Sequence, residues 1–281
     1  MYVIRFLEND MQHERIFLDS ADDRVYIDTY VANNRTFLHS AMLIIPGGGY
    51  SQICTEREGE PVAFAYLEKG FNCFVLNYRV NKDPYPSQLI DASRAILHIR
   101  DNAEKYCIDP NRVFAVGFSA GGHLAGSLAI LHNDPDVLSA LGISEGDNCP
   151  DGVVLGYPVV SAMHPTHHGS FINLMGGKEF QDITEEEKKN LSLEVHVNEK
   201  SAPAYIFHTA EDAVVPAFGS LALAAEYVRA GVPVKFNLYP YGPHGIALAN
   251  GVTACGNDKY LQPLAEEWVE DSVRFLNTLK K

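Results

Sequence analysis

Short apolar runs alternate along this chain with stretches whose apolar positions recur every three or four residues. Segment 25–31 alternates apolar and polar side chains, as a half-buried strand does. An earlier run, 3–7, has similar strand character. Ala41-Met42-Leu43-Ile44-Ile45 is unbroken and apolar, which predicts a strand covered on both faces, and it runs into Pro46-Gly47-Gly48-Gly49. Residues 61–69 predict a helix with proline in its first turn and Gly70 just past its end. Residues 71–78 predict the next strand. Over 87–106, Leu89, Ala92, Ile96, Ile99 and Ala103 share one helical face. The run Val113-Phe114-Ala115-Val116 is a strand followed by a small-residue helix over 120–131. Further strands are expected at 152–157, 204–208 and 234–239, and further helices at 217–230 and 263–279.

Apolar strands separated by amphipathic helices mean an α/β domain with a mostly parallel sheet and helices on both of its faces. The 281 residues suffice for one such domain, 1–281. The rhythm breaks once, over 158–201, a long polar segment with several histidines and the run Glu185-Glu186-Glu187-Lys188-Lys189. A stretch like this in a compact domain reads as a small cap or lid insertion, and its charge run as a solvated helical face.

Composition narrows the partners. The net charge of −14 argues against nucleic acid or an anionic membrane. Cys54, Cys73, Cys107, Cys149 and Cys255 are dispersed, with no CxxC, so neither a disulfide framework nor a zinc site is expected. Glu8 and Asp10 interrupt the start of the chain, no apolar stretch approaches membrane-spanning length, and a cytoplasmic protein is expected. A homo-oligomer is left open by the sequence.

The chemistry centres on Gly117-Phe118-Ser119-Ala120-Gly121, between a strand and a helix. There, a Gly-x-Ser-x-Gly forms a tight elbow that exposes the serine hydroxyl. Ser119 is therefore the candidate nucleophile; the bland alternative is an ordinary strand-to-helix turn. A serine needs a base. Of eleven histidines, His244 stands in Tyr241-Gly242-Pro243-His244-Gly245, directly after a late strand. His123 lies on the helix behind the elbow and is expected to pack or cap there. His208 ends a strand and reads as a satisfied core histidine. His164, His167 and His168 resemble a metal site only faintly. The orienting acid is expected after the preceding strand, where Asp212 fits better than its neighbour Glu211. Backbone N–H groups of Gly48, Gly49 and Ala120 are candidate donors to an oxyanion, each typically worth about 3–4 kcal/mol of transition-state stabilisation. The glycine run carries neither Gly-Lys-Ser/Thr nor GxGxxG, so a nucleotide loop is disfavoured.

With these segments in place, the chain resembles the bacterial acetyl-esterase and xylan-esterase branch of the α/β-hydrolase superfamily. The resemblance rests on Pro46-Gly47-Gly48-Gly49-Tyr50, Asn77-Tyr78-Arg79-Val80, Gly117 through Ala125, Tyr157-Pro158-Val159, His168-Gly169-Ser170-Phe171 with Asn173-Leu174, Asp212 through Pro216, and Pro243-His244-Gly245. It implies the α/β-hydrolase fold, the triad Ser119, Asp212, His244 in that chain order, and an esterase acting on short acyl esters, often acetyl groups on sugars. Neither metal nor organic cofactor is called for. Pro46 stands where lipase-like relatives carry histidine, as it does in this branch. The absence of a signal peptide in this reading favours acetylated oligosaccharides or small esters over intact xylan. Two alternatives stay open: a prolyl-oligopeptidase-type peptidase and a non-catalytic binding protein on the same scaffold.

Secondary expectations concern packing. Arg79 and Asp91 read as a structural salt bridge. Tyr50, Tyr78, Tyr85, Tyr157 and Phe171 are candidates to line an acyl or sugar pocket. Trp268 is read as core, on an apolar stripe with Leu264, Val269 and Leu276.

Overall fold

A computed structural model describes residues 11–32, 36–81 and 83–279. The strand expected at 3–7 lies outside the described residues. In chain order the strands are β1 (Met11–Gln12), β2 (Arg15–Phe17), β3 (Tyr26–Ala32), β4 (His39–Ile45), β5 (Phe71–Asn77), β6 (Ile108–Phe118), β7 (Val153–Gly156), β8 (Ala204–Thr209) and β9 (Val234–Tyr239). The helices are α1 (Thr55–Glu58), α2 (Glu60–Glu68), α3 (Ser87–Asp101), α4 (Ala103–Tyr106), α5 (Ala120–Ile130), α6 (Pro135–Leu141), α7 (His168–Leu174), α8 (Glu185–Asn190), α9 (Phe218–Ala230) and α10 (Trp268–Thr278).

The strands form one sheet in the order β1-β3-β5-β4-β6-β7-β8-β9, with β2 also paired to β3. From β5 to β9 every pairing is parallel, while β3 runs antiparallel to β5. The parallel part follows from the unbroken apolar runs: β7 and β8 are buried throughout. Successive side chains of a strand face opposite sides. Leu43 and Ile45 accordingly join one core cluster, with Ile96, Leu124 and Leu223, and Met42 and Ile44 join the other, with Tyr66 and Trp268.

The helix expected over 87–106 is two helices. Asn102 interrupts it, turning its side-chain amide back to donate to the His98 carbonyl at 2.8 Å, a local bond that competes with the helical ladder. The C-terminal helix begins at Trp268, later than the apolar spacing implies. Trp268 is fully buried, stacks on Phe207 at 4.6 Å and donates its indole N–H to the Ala247 carbonyl at 2.8 Å. Leu264, expected on the same stripe, is 65% exposed instead, because it precedes the regular helix.

Segment 158–201 carries α7 and α8, and the charged run forms the exposed α8, opened by a capping box between Thr184 and Glu187. Its apolar residues Phe171, Leu174, Ile183, Leu191 and Leu193 are buried in the first of the two clusters, so the segment packs onto the sheet's own core. Asp91 is fully buried and meets Arg79 through two guanidinium nitrogens and the Arg79 backbone N–H, the expected salt bridge. Among the described residues no helix is long and apolar enough to cross a membrane.

Candidate active site

β6 delivers Ser119 to the carboxyl edge of the sheet, where open α/β sheets hold their ligands. Ser119 adopts φ 53° and ψ −120°, a conformation that side-chain-bearing residues rarely accept. The turn is this tight because α5 starts against the end of β4. A Cβ on Gly121 would stand 2.2 Å from the Ile45 carbonyl oxygen and 2.4 Å from that of Pro46, so only glycine lets the helix pass. α5 is buried along its whole length, which its small, apolar composition permits.

Asp212 follows β8 and His244 follows β9, so two adjacent parallel strands set acid and base side by side. His244 Nε2 lies 2.8 Å from Ser119 Oγ, and His244 Nδ1 lies 2.6 Å from Asp212 Oδ2. The other carboxylate oxygen of Asp212 accepts the backbone N–H groups of Val214 and Val215, each at 2.9 Å. The Asp212 side chain is fully buried. Burial alone would raise its pKa, but hydrogen bonds from His208 and His244, with the Val215 N–H, hold it well below the usual carboxylate range. An ionised Asp212 accepts Nδ1–H from His244, which leaves Nε2 to accept the Ser119 hydroxyl proton. Glu211, the rejected neighbour, is exposed and accepts the Gly242 N–H at 3.2 Å.

The glycine loop after β4 lies against the serine. Gly48 has φ 130°, and a Cβ there would meet the Gln52 carbonyl oxygen at 2.1 Å. Its carbonyl accepts the N–H groups of Ser51 and Gln52. The Gly47 N–H is taken by the buried Glu58 at 2.8 Å, while Asn173 of α7 donates to the Gly49 carbonyl at 2.8 Å.

The tyrosines do something other than expected. Tyr50, Tyr78, Tyr157 and Phe171 are each only 1% exposed, so they are struts of the site and form no open pocket wall. Tyr78 donates its hydroxyl to the Pro46 carbonyl at 2.8 Å. Tyr50 meets His123 Nδ1 at 2.8 Å, and His123 Nε2 lies 2.8 Å from the Leu191 carbonyl. A carbonyl only accepts, so Nε2 carries the proton and Tyr50 donates to Nδ1. Burial pushes the His123 pKa down to about 4, against the Leu191 hydrogen bond that raises it. Tyr85 donates to Asp134 at 2.7 Å.

The three histidines of the insertion separate. His168 stacks on Phe180 at 3.8 Å, His167 Nδ1 meets Ser170 Oγ at 3.0 Å, and His164 packs its ring edge-on against Phe218. Among the described residues no group of three metal-ligating side chains converges. His208 is fully buried as expected, but it touches Asp212, a role that its place at a strand end did not reveal. Glu58 was missed altogether: in sequence it belongs to a charged run that looks solvated.

The BD-FAE family model matches residues 27–227. The chain belongs to the BD-FAE family. This family member is 37% identical over 236 residues to the endo-1,4-beta-xylanase B of Butyrivibrio fibrisolvens, covering 79% of this chain and 35% of that protein. It is 29% identical over 246 residues to the acetylxylan esterase of Xylanibacter ruminicola, covering 83% of this chain and 47% of that one. The BD-FAE chain thus spans between a third and a half of the length of these relatives. Among solved structures, the acetyl ester-xyloside bifunctional hydrolase of Caldicellulosiruptor lactoaceticus superposes with a TM-score of 0.77 at 32% identity, over 93% of this chain and 97% of that one. The fold is that of the α/β-hydrolases, as the family resemblance of the sequence implies.

Proposed function

We propose that this BD-FAE chain is a serine carboxylesterase that hydrolyses short acyl esters, acetyl esters of carbohydrates foremost. The observation that carries the proposal is the continuous hydrogen-bonded path from Ser119 Oγ to His244 to Asp212, at 2.8 and 2.6 Å.

In this reading Ser119 Oγ attacks the ester carbonyl carbon while His244 Nε2 takes the hydroxyl proton. Asp212 holds the imidazole in the productive tautomer and stabilises the imidazolium. The carbonyl oxygen becomes an oxyanion, received by the N–H groups of Gly48, Gly49 and Ala120. Engagement of the Gly47 N–H by Glu58 leaves the next two glycines for that task. The intermediate collapses, His244 returns the proton to the departing alcohol, and an acyl-enzyme remains. Water, activated by His244, then releases the carboxylic acid and restores Ser119. These steps require neither metal nor organic cofactor.

Acetylated sugars are favoured because the relatives named above include an acetylxylan esterase and an acetyl ester hydrolase. We read the chain as one domain whose 158–201 insertion forms the cap. The dispersed cysteines, with no CxxC among them, fit a reducing cytoplasm. The test is Ser119→Ala assayed on p-nitrophenyl acetate and on acetylated xylo-oligosaccharides. Loss of turnover with the fold retained supports the reading; retained turnover ends it.

A further inference from the structure

Helix α1, Thr55–Glu58, is only four residues long, yet its last two side chains reach two different loops of the site. Arg57 Nη2 donates to the carbonyl of Gly245, the residue after His244, at 2.7 Å. Its Nε donates to the Thr253 carbonyl at 2.9 Å, and the guanidinium stands over the Tyr260 ring at 4.1 Å. Glu58, 5% exposed, accepts the Gly47 N–H through Oε2 and the Tyr157 hydroxyl through Oε1, both at 2.8 Å. Tyr157 oxygen accepts the Ala247 N–H at 3.0 Å, and the Tyr157 ring packs edge-on against the His244 imidazole at 5.1 Å.

The glycine loop and the histidine loop are far apart in sequence. Through α1 they are joined by a short chain of hydrogen bonds, Gly47 to Glu58 to Tyr157 to Ala247 on one side and Arg57 to Gly245 on the other. A buried carboxylate is expensive to desolvate. Packing alone would be served better by an apolar side chain, so the cost points to a job that needs an acceptor at two places at once. We propose that Arg57 and Glu58 are positioning residues for ester hydrolysis, a brace that fixes His244 relative to the oxyanion donors. The proposal rests on the reading of Ser119 as nucleophile.

A brace acts on the geometry of the transition state and not on substrate affinity, and small misplacements of catalytic groups cost roughly 100-fold. Three variants of the full chain separate the possibilities. Glu58→Gln keeps the side-chain shape but leaves one acceptor oxygen for two donors, the Gly47 N–H and the Tyr157 hydroxyl. Arg57→Met removes every donor at similar length. Arg57→Lys keeps one donor nitrogen in place of the two that Arg57 uses. On p-nitrophenyl acetate, Glu58→Gln and Arg57→Met should each lower kcat by about 30- to 100-fold with KM within about twofold, and Arg57→Lys should recover much of the loss. The double variant should lose less than the product of the single losses, because one brace is broken once. Should Glu58→Gln fail to fold, Arg57→Met and Arg57→Lys carry the test alone. Folded single variants with kcat within threefold of the unmodified chain overturn the proposal, as does a loss confined to KM. If the unmodified chain itself hydrolyses no ester, the reading of Ser119 fails instead.

Discussion

His208 and His244 address the same oxygen of Asp212: His208 Nε2 lies 3.2 Å from Oδ2, and His244 Nδ1 lies 2.6 Å from it. His208 Nε2 is also 2.9 Å from the Val215 carbonyl, which only accepts, so this nitrogen carries a proton. Its other nitrogen meets Ser220 Oγ at 2.8 Å. The acid is therefore held from two sides and from the backbone at once. Replacing His208 by asparagine should lower kcat about tenfold with KM little changed, since only the aim of the carboxylate is loosened. Steady-state kinetics on the folded variant checks this. An unchanged kcat would make His208 a packing residue and nothing more.

The choice between the two neighbouring acids is decided by another pair of variants. Asp212→Asn should cut kcat by several orders of magnitude, because an amide no longer fixes the tautomer that leaves Nε2 free to accept a proton. Glu211→Gln should stay within about threefold, since Glu211 is exposed and accepts the Gly242 N–H, a bond that an amide oxygen can also accept. The reverse ranking would move the acid to Glu211.

Much of this was legible beforehand because it rests on local patterns. The strand-Ser119-helix elbow, the loops of Asp212 and His244 and the parallel core follow from apolar runs bounded by glycine and proline. The Arg79–Asp91 pair was legible too, from a strand end and the next helix facing one another. What escaped is long-range. Nothing local marks Glu58 as buried; its burial depends on Gly47 and Tyr157 arriving from other strands. The tyrosines read as pocket wall because aromatic residues near a site can serve either way, and only burial separates strut from lining. Asn102 splits a helix whose apolar spacing continues past it, since periodicity carries no information on a side chain that turns back onto the backbone.

Histidine 123 gives the fold a predictable pH dependence. Its value of about 4 is depressed from the ordinary 6.5. Between those values the unfolded chain binds a proton there that the folded chain does not, so folding stability from this group is complete above about pH 6.5 and is lost as pH falls. The loss approaches 1.4 kcal/mol per pH unit, or about 3 kcal/mol over the window. Denaturant melts at pH 7.5, 6 and 4.5 should show His123→Gln losing less stability than the unmodified chain over this range. Parallel curves would contradict the assignment.

The buried Asp91 makes a separate stability prediction. Burial raises its pKa, opposed by the hydrogen bonds from Arg79. Arg79→Met leaves that carboxylate without its principal partner, at a cost of about 3–5 kcal/mol. Thermal melting should show the drop, while kcat of the fraction still folded should match the unmodified chain. A loss of kcat without a loss of stability would assign Arg79 a place in the reaction.

Reaction with a fluorophosphonate, read by mass spectrometry of the digested protein, addresses the nucleophile itself. The expected result is a single phosphonyl group on Ser119, absent in Ser119→Ala and strongly slowed in His244→Ala. Labelling at another residue, or none on an intact folded chain, would contradict the assignment of Ser119, His244 and Asp212 as one catalytic unit.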